Sequence, residues 1–231
     1  IAEGKITADQ AKMGYVGAFT FAEVISGYTS FYLGAKYVCP SVTMDVQFTG
    51  SWYDEIKEKD AATALINNGC VLISQHADSM GAPSVCEEKG VPNISYNVSN
   101  AEACPNTFIV ASKIDWTPYF KLICEKTMAG KGNEIPADYT GDLETGSVVL
   151  TEVNEKAAAK DTQKKIDEYK SQLQGINREV FELKSFTVTV DDNKNKNATV
   201  TEKGALTSYL ADVDTDEAFT GDTEAVSEDG K

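Results

Sequence analysis

The chain has 231 residues, 42% of them hydrophobic, enough to bury the core of one large domain or two small ones. Asp and Glu number 36 against 21 Lys and Arg, a formal net charge of -15. That balance argues against binding to nucleic acid or anionic membranes, which both draw on basic surface, and no long uncharged apolar run exists to span a bilayer.

The opening residues, IAEGKITADQ, carry no methionine and no visible signal peptide, and they read as a helix already under way. A fragment or a processed product is the expectation. Strands then alternate with helices. Strands are expected at 13–17, 42–49, 70–74 and 92–97, and helices at 23–38, 54–67 and 79–89. The first helix has Val24, Tyr28, Phe31 and Ala35 at helical spacing. The second strand turns Val42, Met44, Val46 and Phe48 inward, and the third is an apolar run of the buried parallel kind. Asn68-Gly69 and Gly90 end the second and third helices. This alternation implies an α/β fold, a parallel sheet flanked by helices and joined by right-handed crossovers.

A further strand at 107–111 and a helix at 118–129, ended by Gly130, add one more unit. Residues 131–155 are turn-rich, with one strand at 147–151. A polar helix is expected at 156–174, with Ala158, Thr162, Ile166, Tyr169 and Leu173 on one stripe and Gly175 as its cap. Residues 185–203 read as a β-hairpin with a polar turn, and the segment from Asp212 as an acidic tail.

Five cysteines, Cys39, Cys70, Cys86, Cys104 and Cys124, form no CxxC pair, so zinc and redox spacings are absent. They read mostly as buried thiols. GYVGAF lacks the pattern of a phosphate-binding glycine loop, and there is no GxSxG elbow. No cofactor is expected.

In an open parallel sheet, the loops leaving the strands gather at the carboxyl edge, where ligands bind. The first such loop carries Phe19 and Phe21. The second, in TGSWYD, carries Trp52. The third, in QHADSMG, carries the sole histidine, His76, with Asp78 and Ser79. The fourth is NVSN, starting at Asn97. Aromatic rings beside hydrogen-bonding groups suit a flat heteroaromatic ligand, since stacking contributes about 1–3 kcal/mol per base. Other readings compete at each position. Thr20 with Glu23, and Ser51 with Asp54, have capping-box spacing. Phe21 reads equally as a hydrophobic staple, Trp52 as packing on a neighbouring helix, and His76 as a structural group.

GYVGAFTFAEVISGYTSFYLGAKYVCP, TGSWYDEIKEKDAATALINNG, LISQHADSMGAPSVCEEKGV and IDWTPYF together resemble the basic membrane protein (BMP) family, lipid-anchored solute-binding proteins of ABC importers. The resemblance runs from about Gly4 to about Asp191. It points to the branch with SWYD-like and QHxDS-like motifs, whose ligands are purines. It implies two α/β lobes like those of type I periplasmic binding proteins, hinged around the ligand. Here 1–112 would form the second lobe, 113–184 a crossing towards the first followed by a strand and helix, and 185–231 an extension. The first lobe would mostly precede residue 1.

Carried over residue by residue, the resemblance makes Phe19 and Trp52 an aromatic wall and gives His76, Asp78 and Ser79 ligand contacts. Asn97 stands where many members hold a ribose hydroxyl with aspartate. That departure favours a free base over a nucleoside. Lys113 falls at a basic position that some nucleoside binders use, and Trp116 at the hinge. The implied partners are a purine and an ABC permease. The implied location is the extracellular face of the membrane or the periplasm, through a lipid anchor outside this chain. An uncovered crevice also invites a homo-oligomer. Two other functions compete: an orphan lobe acting as a sensor or interaction module, and a purine-metabolising enzyme using His76.

Overall fold

A computed structural model of the chain describes residues 1–174, 185–191, 197–203 and 223–224. The elements run β1 (Lys12–Gly17), α1 (Ala22–Val38), β2 (Thr43–Phe48), α2 (Glu55–Asn67), β3 (Leu72–Gln75), α3 (Gly81–Lys89), β4 (Asn93–Tyr96), β5 (Phe108–Ile114), α4 (Thr117–Met128), β6 (Val148–Leu150), α5 (Thr162–Gln174), β7 (Ser185–Asp191), β8 (Asn197–Lys203) and β9 (Thr223–Glu224). The strands form one sheet in the order β6-β5-β4-β3-β1-β2-β7-β8-β9. From β5 through β7 every neighbouring pair is parallel, while β6, β8 and β9 join antiparallel. The sheet and its flanking helices agree with the strand–helix alternation of the sequence.

Successive side chains of a strand point to opposite faces, so the two faces of β1 define two cores. Tyr15 packs with Val24, Tyr28, Tyr32 and Leu33 of α1. Val16 packs with Ala61, Ala62 and Leu65 of α2 and with Ala82, Val85 and Cys86 of α3. α1 therefore covers one face, and α2 and α3 the other. The chain leaves β1 towards β2 on one side, and leaves β3 towards β4 on the other. Between β1 and β3 the winding reverses. Loops diverge at such a switch point and open a crevice at the carboxyl edge.

Several local expectations change. The opening residues are not a helix: Gly4 takes φ 71, and the first regular element is a 3-10 turn at Ala8–Gln10. The N-cap of α1 is Phe21, without a side-chain cap bond, so the Thr20–Glu23 capping box does not form. Phe21 stacks back on Phe19, and with Phe21 as the N-cap the helix starts one residue too late for the Thr20 hydroxyl to cap it. At α2 the cap is Asp54, whose carboxylate accepts from Lys57 N at 3.0 Å, and Ser51 bonds Tyr53 instead. α5 begins at Thr162 rather than 156. Asn154 Nδ2 donates to the carbonyls of Pro105 and Phe108, holding the preceding segment along β5, and Asp161 sits at φ 65. The hairpin pairing of β7 with β8 is present. Its turn at 192–196, the cap at Gly175 and the acidic tail other than Thr223–Glu224 lie outside the described residues.

Candidate functional site

Five rings run along the carboxyl edge at the switch point. Phe21 and Phe19 stack at 4.9 Å with 17° between their planes. Trp52 meets Phe19 edge-on at 5.4 Å and 63°. His76 lies 6.2 Å from Trp52 and 4.4 Å from Tyr96. The rings come from three strand-end loops and the end of β4, so only the sheet brings them together. Phe21 is 53% exposed and turned to Phe19, which excludes its staple reading.

Two contacts hold the loops in register. The Asp78 N–H donates to the Trp52 carbonyl at 2.8 Å. Behind them, fully buried Glu58 of α2 accepts from Asp54 N at 3.1 Å and from Ser79 N at 3.3 Å through one oxygen. Burial pushes the Glu58 carboxyl above the usual carboxylate range, and the bonds from Ser79 and Asp54 only partly oppose this. Gly81 makes this approach feasible: a Cβ there would lie 2.7 Å from the Glu55 carbonyl and 2.8 Å from Glu58 Cβ.

His76 is 5% exposed, and neither ring nitrogen has a hydrogen bond among the described residues. Its Nε2 lies 3.6 Å from the exposed Glu23 carboxylate, beyond hydrogen-bond reach. Burial pushes the imidazole below its ordinary value, while Glu23 and then Asp78 pull it back up. Burial likewise raises the Tyr96 phenol, with Glu23 adding to the effect.

Phe19, Trp52 and His76 thus lie side by side at the carboxyl edge, and the Asp78 backbone is tied to the same edge through Trp52. Ser79 stands behind it: it is 3% exposed, its N–H is on Glu58 and its hydroxyl accepts from Gly81 N at 3.0 Å. Asn97 takes the left-handed φ 62, and its Oδ1 accepts from Ile114 N at 3.2 Å. Lys113 is exposed on β5, and the nearby Asp115 carboxyl is held below the usual range chiefly by its hydrogen bonds with Thr117, with the Lys113 charge a smaller contribution.

Sequence reasoning did not reach Tyr96, Glu58 or the pairing of Glu23 with His76. Tyr96 adjoins Asn97 at a strand end, a position that invites inspection. Glu58 carries no such signal, because an acidic residue in a first helical turn reads as solvated. Among the described residues no group of three or more His, Cys, Asp or Glu could hold a metal ion, and no helix is long and apolar enough to cross a membrane.

A family model described as ABC transporter substrate-binding protein PnrA-like, Bmp, matches residues 4–179. A purine-binding protein of Brucella abortus is 36% identical over 121 residues, 51% of this chain and 35% of that protein. A protein of Haloferax volcanii named for ABC-transporter glucose binding is 32% identical over 152 residues, 65% of this chain and 38% of its own length. A solved ABC transporter solute-binding protein of Conexibacter woesei matches with a TM-score of 0.58 at 25% identity, covering 71% of this chain and 54% of that one. The chain therefore spans 35% and 38% of the length of those two relatives. The fold agrees with the type I periplasmic-binding-like α/β class of such neighbours. By its sequence match over 4–179, the chain belongs to the Bmp family of ABC transporter substrate-binding proteins.

Proposed function

We infer that this chain supplies the aromatic wall of a purine site in the solute-binding component of an ABC importer. The observation that carries the reading is the run of five rings across the switch point, flanked by the carboxylates of Glu23 and Asp78. A purine stacks on such rings, and its ring and amino N–H groups donate to carboxylates. The 36% identical relative named for purine binding supports the same ligand class. A free base fits better than a nucleoside, because the Asn97 oxygen already accepts from Ile114 N and so offers a ribose hydroxyl one remaining lone pair and no charge. Lys113 would be an outer contact and Ser79 a support for the third loop.

In this reading residues 1–112 form one lobe, and 113–184 open with a helix, α4, that leads towards the other before β6 and α5 return to this sheet. α4 has no buried residue, and Trp116 and Phe120 are each 58% exposed, which supports a helix meant to pack on something further. The family consists of extracellular or periplasmic binding proteins, so the proposal places the protein outside the cell membrane, with a permease as partner and a lipid anchor beyond this chain.

A sugar is the competing ligand, since the Haloferax relative is named for glucose. Thermal unfolding with adenine, hypoxanthine, adenosine or glucose separates the two. A ligand at about one hundred times its Kd stabilises the folded state by about 2.7 kcal/mol. The reading expects a higher Tm with a purine base and no change with glucose; the reverse pattern overturns it.

A further inference from the structure

A cavity adjoins the ring cluster at His76 and Tyr96. Its volume is about 500 Å³, and it sits on the α1 face of the sheet. Phe31 and Gly27 of α1 form one side, Ile94, Ile109 and Leu150 of the strands form the floor, and Thr162 and Ile166 of α5 close the far rim. The topology explains it. The connection from β4 to β5 places Cys104 against Phe108 and Met80, on the α3 face, so it leaves the α1 face of β4 and β5 uncovered.

Two observations point to a ligand. No Asp, Glu, Lys or Arg lines the cavity, so an ion placed there would lose its hydration without gaining a counter-charge. The lining is nonetheless not wholly apolar: Tyr15, Ser74, Gln75, Ser95 and His76 are among its residues. His76 Nδ1, buried and without a hydrogen bond among the described residues, is turned to Gly27 on the cavity wall, where a Cβ would lie 2.8 Å away. A buried polar atom without a partner is costly, and a bound group that meets it removes the cost. The volume lies within the range of small-molecule sites, about 300–1,000 Å³.

We propose that this cavity is a second binding site, for an uncharged and largely apolar small molecule whose single hydrogen-bonding group meets His76. The site shares only the His76–Tyr96 wall with the purine crevice, and the inference does not depend on the crevice ligand.

The probe is 1-naphthol, a neutral bicyclic body with one hydroxyl, measured by equilibrium dialysis against the full chain with adenine in excess. Saturable binding is expected to persist under adenine and in Trp52→Ala. It is expected to weaken at least about tenfold in Ile109→Trp, which fills the floor, and in Ala159→Trp, which fills the exposed rim and tolerates bulk. Absence of saturable binding overturns the proposal. So does binding that adenine displaces or that Trp52→Ala abolishes, and so does binding that Ala159→Trp leaves unchanged.

Discussion

The backbone N–H of Asp78 donates to the carbonyl of Trp52 at 2.8 Å, so the loops after β2 and β3 share a rigid joint. Glu58 reinforces that joint from below by accepting from Asp54 N and Ser79 N. The ring wall and the His76 loop are thereby set by backbone and a buried carboxylate, before any ligand arrives.

Replacing Glu58 tests the joint. Glu58→Ala leaves the Asp54 and Ser79 N–H groups without their acceptor, a loss of about 1–3 kcal/mol each where burial is complete. Glu58→Gln keeps an acceptor and removes the charge. Burial raises the Glu58 pKa, so between 4.5 and that raised value the folded state binds more protons than the unfolded one. The carboxyl's contribution is then fully present below 4.5 and is lost as pH rises through the folded pKa. Urea unfolding across pH is expected to show this falling slope in the wild type and its absence in Glu58→Gln.

His76 is the sole histidine, so its titration can be followed without overlap. Burial depresses its pKa below 6.5. Proton NMR of the ring is expected to show an apparent pKa under that value. Glu23→Gln is expected to lower it further, since the Glu23 charge favours imidazolium. The sign for stability is opposite to that of Glu58: the contribution is present above 6.5 and is lost as pH falls from there towards the folded pKa. A midpoint at or above 6.5 contradicts the burial geometry.

Gly27 faces His76, and a methyl group there would lie 2.8 Å from Nδ1. Gly27→Ala is expected to displace the imidazole, weaken crevice binding and cost about 1–3 kcal/mol of stability as an overpacked site. Calorimetric unfolding together with ligand titration checks both effects.

The cysteines give an independent check of the fold. Cys70, Cys86 and Cys104 are buried, and burial pushes the Cys70 and Cys86 thiols up to about 12. Cys124 is exposed on α4. Iodoacetamide on the native chain is expected to modify Cys124 readily and Cys39 more slowly, and to reach the other three only on unfolding. Early modification of Cys86 contradicts the packing of α3 on the sheet.

The sheet was legible because its strands and helices differ in period, and because Asn68-Gly69 and Gly90 mark helix ends. Phe19, Trp52 and His76 were legible as site residues because strand-end loops of a parallel sheet must share one edge. Glu58 was hidden, because its burial depends on Gly81 letting α3 press on α2, a tertiary fact without a local signal. The Thr20–Glu23 spacing has no matching cap in the fold because the helix takes Phe21, one residue on, as its N-cap. The start of α5 was misread because the stripe from Ala158 has helical spacing, whereas Asn154 bonds that stretch to the strand edge.

The central claim is that the ring run at the switch point holds a purine. Isothermal titration of adenine into the wild-type chain and into Trp52→Ala tests it most directly. The account predicts saturable binding to the wild type, weakened about tenfold or more in the variant, because one stacked ring contributes about 1–3 kcal/mol. Equal affinity in both chains, or no purine binding by a folded wild type that binds glucose, would contradict it.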